Sequence, residues 1–186
     1  MPIKKGFMTV VFLLVAVLCC GQDAEIDLVS PVSNSGSLGL GFGLPYGGLG
    51  FNADVYVFDP VALTVGIGSF GYTAGYEVGA KYFHGSPEKT WRPQAVLLYG
   101  INGIIIVESD PEPDIREAFM GFSIGIGSQF MFGKKKKHGF DFDVLYVLSS
   151  GMFKRIEELE ELGYEFEDVN RFKFSLGYRY AFDLKF

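Results

Sequence analysis

Tyr178-Arg179-Tyr180-Ala181-Phe182-Asp183-Leu184-Lys185-Phe186 is the stretch that decides the fold. Tyr178, Tyr180, Phe182, Leu184 and Phe186 alternate strictly with Arg179, Ala181, Asp183 and Lys185. Period-two alternation over this length predicts a β-strand with one apolar and one polar face. The apolar face is largely aromatic, and such a face on an open edge would invite pairing with other chains. It is stable where the aromatic side meets lipid and the strand closes a barrel that has no edge.

The same alternation recurs upstream. Leu38, Leu40, Phe42 and Leu44 oppose Gly39, Gly41 and Gly43, and Pro45-Tyr46-Gly47 reads as a turn. Leu49, Phe51, Ala53, Val55 and Val57 oppose Gly50, Asn52, Asp54 and Tyr56. After Asp59-Pro60, Val61, Leu63, Val65 and Ile67 form a third apolar row, and Tyr72 to Tyr82 a fourth. Further strands are predicted near 94–102, 118–132 and 140–148, so the terminal strand, starting near Arg171, is about the eighth. Asp54, Glu77, Lys81, Asp141, Asp143, Lys173, Arg179 and Asp183 all fall on the glycine-rich face. A basic residue held against lipid at the bilayer midplane costs ~2–4 kcal/mol, so that face lines the interior. The fold class is all-β, an antiparallel up-and-down transmembrane β-barrel. Soluble eight-stranded lipid carriers need the opposite pattern, an apolar interior and a polar exterior.

The terminal strand resembles that of small bacterial outer-membrane β-barrel proteins of the OmpA and OmpX eight-stranded type, which end in an aromatic residue with apolar residues at every second position before it. The resemblance implies that Tyr178, Tyr180, Phe182, Leu184 and Phe186 form the signal read by the barrel-insertion machinery. It implies an outer-membrane location, outer-membrane lipid as surroundings, a monomer, and both termini in the periplasm. Asp59-Pro60, His84 to Trp91 and Gly133 to Gly139 then fall on the periplasmic side. Pro45 to Gly47, Gly71, Ile105 to Glu117 and Ser149 to Asn170 fall outside.

The other end agrees. Lys4 and Lys5 precede an apolar run from Phe7 to Leu18, followed by Cys19, Cys20 and Gly21. A basic start, an apolar stretch and small residues describe a secretory signal peptide, and the run is shorter than the ~20 residues of a spanning helix. The division is 1–21 signal peptide, 22–35 flexible lead and 36–186 barrel. Both cysteines lie in the first segment, so its removal leaves no thiol for a disulfide, a metal or a nucleophile. Cys20 before Gly21 and Gln22 is placed as a lipidated cysteine would be, although Val17, Leu18 and Cys19 fit the small-residue pattern poorly. The chain of 186 residues has 25 Gly, 19 Phe and 10 Tyr and a net charge of −6, and its mean hydropathy is +0.23. An acidic chain without a basic stripe argues against nucleic acid as a partner.

Inside the barrel, Asp54, Glu77 and Arg179 are expected to form one charge cluster at mid-depth, with Glu77 and Arg179 pairing across the lumen. The interior of an eight-stranded barrel is just wide enough for side chains to fill, although the many inward glycines fill little space. His84-Gly85-Ser86 resembles the His-x-Ser motif of outer-membrane lipid A deacylases, in which a histidine activates the serine. Here Pro87 stands where that family has Asn, and the topology puts His84 in a periplasmic turn. An ordinary polar turn is therefore expected. His138 has no evident partner. One outer loop carries Glu108, Asp110, Glu112 and Asp114, and another carries Glu157, Glu158, Glu160, Glu161, Glu165, Glu167 and Asp168. These are read as solvated loop charge, since no calcium-loop pattern is present. Met152, Phe153, Ile156, Leu159 and Leu162 predict a short amphipathic helix in the last loop. Lys134 to Lys137 is read as a solvated turn, the alternatives being contact with anionic headgroups or with a periplasmic partner. No catalytic residue, metal site or cofactor is assigned. The expectation is a non-enzymatic barrel with a structural or surface-interaction role, the alternatives being a narrow channel for small solutes and a lipid-modifying enzyme.

Overall fold

The alternating segments form eight antiparallel strands that close on themselves in chain order. They are β1 Ser35–Gly43, β2 Gly48–Phe58, β3 Val61–Ser69, β4 Ala74–Phe83, β5 Trp91–Val107, β6 Ile115–Phe132, β7 His138–Val147 and β8 Phe172–Asp183. The computed structural model describes residues 35–85, 89–107, 115–166 and 169–183. The segment expected as a signal peptide, almost all of the expected lead, Ser86, the acidic residues of 108–114, Glu167, Asp168, Leu184 and Phe186 lie outside the described residues. Closure is made by β1 and β8, where Leu38 stands opposite Tyr180, Gly39 opposite Arg179 and Leu40 opposite Tyr178. Every strand has two partners, so the aromatic strand has no unpaired edge.

The faces divide as the alternation predicts. Phe51, Ile67 and Ile126 are 60 % exposed or more, whereas Asp54, Glu77, Lys81, Asp141, Asp143 and Arg179 are each at most 1 % exposed. The exterior is thus apolar and the interior charged, the reverse of a soluble barrel. Phe132, His138, Phe140, Tyr178 and Tyr180 gather on the outside near one rim. His138 does have a partner: its Nδ1 lies 2.5 Å from the Tyr178 hydroxyl on the neighbouring strand.

Two strands run longer than the alternation indicates. β5 and β6 have 17 and 18 residues, and beyond the register shift at Ile101/Gly103 they pair only with each other. They project as a two-stranded ribbon from the rim that carries the β3–β4 and β7–β8 connections, called here the loop end. The opposite rim, with the turns at 59–60 and 133–137, is the turn end.

The amphipathic helix α1 (Gly151–Glu161) covers the ribbon. Ser150 caps it by accepting a hydrogen bond from the Met152 N–H, and Gly163, at φ +95°, ends it. Met152, Ile156 and Leu159 share one helix face and pack with Ile105 against Phe119 and Phe153. Burying each such side chain contributes roughly 1.5–3 kcal/mol, enough to hold a helix of three turns that would not persist alone. Arg155 donates two hydrogen bonds of 3.0 Å to the Glu117 carboxylate on β6. Those bonds, with Glu158 behind them, raise the guanidinium pKa above its ordinary value. Leu162 lies outside this packing, at 72 % exposed.

Candidate functional site

The β1–β2 connection, expected as an outward turn, folds into the barrel. Leu44–Tyr46 form a single 3₁₀ turn in which Leu44, Pro45 and Tyr46 are buried. The reversal is local. Gly43 at φ +109° turns the chain inward, and Gly47 at φ +63° donates to the Leu44 carbonyl at 2.9 Å and turns it back. Both angles are strained for any residue with a Cβ. Leu44 therefore leaves the outer row of Leu38, Leu40 and Phe42. It joins Val96, Leu98, Leu145 and Val147 in an apolar cluster inside the lumen, against Phe70 and Phe153. Phe153 belongs to α1, so the loop-end half of the lumen is filled by apolar contacts running up to the helix.

The inward glycines make room for this plug. A Cβ at Gly41 or Gly177 would meet the Tyr46 ring, and one at Gly66 would meet the Pro45 carbonyl oxygen. The apparent lack of interior bulk in β1, β3 and β8 is thus complementary to the folded-in turn.

Below the plug lies the charge network. Arg179, with no exposed surface, donates to Asp141 at 2.5 Å, to Asp54, to the Ser37 hydroxyl at 2.5 Å and to Asn52 Oδ1 at 2.8 Å. Lys81 approaches Asp54 at 3.2 Å and Asp141 at 3.9 Å. Two cations and two carboxylates balance. Thr64 donates to Asp54 at 2.7 Å, and Asn52 Nδ2 donates to the Pro45 carbonyl at 2.9 Å. Asn52 is therefore the latch between network and plug. The Tyr46 hydroxyl points at Asp141 at 3.5 Å. Asp143 is held apart from this group by Gln94 at 2.5 Å and Ser175 at 2.9 Å.

Of the three residues expected to cluster, Asp54 and Arg179 meet and Glu77 does not. Glu77 is level with Arg179 along the hydrogen-bond ladder through Gly66, Asn52 and Gly39. In a closed sheet, however, the ladder climbs as the strands tilt and stagger. It runs from Glu77 through Gly100 and Gly121 toward the loop end, and from Arg179 through Gly139 and Met131 toward the turn end. Glu77 is thus carried above the network, and Lys81, four residues further down β4, arrives at the depth of Asp54. Neither Glu77 oxygen has a hydrogen-bond partner among the described residues.

Asn52, Tyr46 and Asp141 complete the site without having been singled out. Asp141 carried the visible signal, an acidic residue on the inward face of β7. The roles of Asn52 and Tyr46 depend on a turn direction that alternation does not encode. His84 is exposed at the turn end, and its relation to Ser86 lies outside the described residues. Among the described residues no group of three or more His, Cys, Asp or Glu side chains is placed to hold a metal.

No protein-family model and no curated protein matches the chain. Among solved structures, the N-terminal β-barrel domain of Pseudomonas aeruginosa OprF superposes with a TM-score of 0.53, at 20% sequence identity, over 81% of this chain and 98% of that one. The fold is shared with that barrel. At this identity the likeness speaks to the path of the backbone alone, and nearly all of the OprF barrel is matched by the strands described above.

Proposed function

We propose that this protein is a small outer-membrane barrel with a closed lumen and a non-enzymatic role in structure or surface contact. The apolar exterior, its aromatic rim and the absence of a free edge support a lipid surround. The observation that carries the closed-lumen reading is the inward Leu44–Tyr46 turn, clasped by Asn52, which Arg179 holds in turn. The side chains at that depth, Asn52, Asp54, Lys81, Asp141, Arg179 and Tyr46, are all at most 2 % exposed. With both termini in the periplasm, the β5–β6 ribbon and α1 stand outside, with Glu157, Glu158, Glu160 and Glu161 exposed as contact surface.

The test has two arms. In cells, the full chain should fractionate with outer membranes and migrate faster on a gel unheated than heated. Recovery as a soluble monomer without detergent defeats the membrane reading. In planar bilayers the wild-type barrel should be nearly silent. Steady single-channel conductance would make the narrow-channel reading the better one.

A further inference from the structure

Arg179 and Arg92 are both buried in the barrel, and the barrel treats them oppositely. Arg179 has two carboxylates and two neutral partners, whereas no carboxylate contacts Arg92 among the described residues. Arg92, 3 % exposed, lies on β5 near the turn end, opposite Gln129 of β6. Its Nη1 donates to the Tyr56 hydroxyl at 3.0 Å and to Gln129 Oε1 at 3.5 Å. The guanidinium carbon lies over the Phe83 ring, 4.6 Å from its centroid. Nε and Nη2 are buried without an acceptor. A buried cation without a carboxylate is costly, and among the described residues the Tyr56 and Phe83 rings and two neutral acceptors are what face it.

Arg92 lines a vestibule of about 490 Å³ at the turn end, together with Ser37, Gln129 and the lysine turn. Two of those lysines are engaged: Lys136 donates to Thr90, and Lys137 lies 3.4 Å from Asp183, the carboxylate that also lines the vestibule. Lys134 and Lys135 are exposed and have no acidic partner among the described residues. A guanidinium with two unpartnered donors, beside the exposed ammonium groups of Lys134 and Lys135, matches an oxyanion in charge.

We propose that the turn-end vestibule binds a phosphate-class oxyanion, with Arg92 as the fixed donor and Lys134 and Lys135 as the outer electrostatic collar. The site lies on the turn-end side of the network and does not depend on whether the lumen conducts. The ligand is either a free phosphorylated solute or the phosphodiester of an anionic lipid at the rim.

The full chain, refolded in maltoside micelles, would be titrated with pyrophosphate by calorimetry. Saturable binding that weakens with added salt is expected. Arg92→Gln should weaken it roughly tenfold or more, since a charged hydrogen bond is lost, and the double variant K134A/K135A a few-fold. Doping the micelles with phosphatidylglycerol separates the sources: competition with pyrophosphate identifies a lipid headgroup, and unaltered pyrophosphate binding identifies a free solute. Absence of pyrophosphate binding by the wild type in undoped micelles overturns the proposal, as does wild-type affinity in Arg92→Gln. Should Arg92→Gln not refold, K134A/K135A decides, and unchanged affinity in that variant overturns it as well.

Discussion

Arg179→Met removes the central cation while keeping most of the stem's volume. The network then holds Asp54 and Asp141 against Lys81 alone, a net charge of −1 where the wild type is neutral. Asn52 and Ser37 each lose a donor partner in the same step. Breaking a buried ion pair typically costs ~3–5 kcal/mol. Lys81 stays within 4 Å of both carboxylates, so the lower end, about 3 kcal/mol, is expected. Adding Asp141→Asn restores one cation against one carboxylate. The double variant should therefore be more stable than the sum of the single losses, with a coupling of at least ~1.5 kcal/mol. The assay is urea unfolding of refolded barrel in micelles, followed by fluorescence of Trp91, the single tryptophan, and checked by gel mobility. A midpoint shift at constant slope reports stability alone. A loss below ~0.5 kcal/mol, the range of an ordinary surface change, would refute the reasoning. So would strict additivity of the two substitutions.

Three further outcomes follow from the same contacts. Gly66→Ala places a methyl on the Pro45 carbonyl; it should cost ~1–3 kcal/mol as an overpacked core does and, by displacing the plug, raise bilayer conductance above a silent wild type, whereas unchanged conductance with unchanged stability would show that the plug yields freely. Arg155→Ala breaks the tie between α1 and Glu117, so amide exchange in residues 151–161 should quicken while the strands keep their protection; uniform protection would mean that the apolar face alone holds the helix. Deleting Phe186 removes the end of the proposed insertion signal and should leave unassembled chain in the periplasm, which blotting of cell fractions would detect; normal yields of heat-modifiable barrel would count against the signal.

The strand count, the closure and the choice of inner face were legible because each rests on local chemistry. Period-two alternation sets the face, and the cost of charge in lipid says which face is inside. Asp54 and Arg179 could be named for the same reason. The α1 helix was legible from the spacing of Met152, Ile156 and Leu159, although not its docking on the β5–β6 ribbon. Ribbon length escaped because Ile104 to Val107 is apolar on both faces and shows no alternation, and Arg92 escaped because Pro93 reads as a strand breaker. In the structure Pro93 sits within β5, opposite Ser128.

What the sequence determined by itself is therefore the wall of this barrel: alternation is a property of each strand and needs no knowledge of its neighbours. What occupies the lumen was decided only by the tertiary structure. A glycine in a strand records that space is left, not what fills it, and the filler here is a turn from the same chain whose direction depends on two positive-φ glycines. Depth, too, is a property of the closed sheet. Tilt and stagger carry Glu77 away from Arg179 and bring Lys81 across the lumen to Asp141, since side chains on opposite walls meet according to height along the barrel axis and not according to position within a strand.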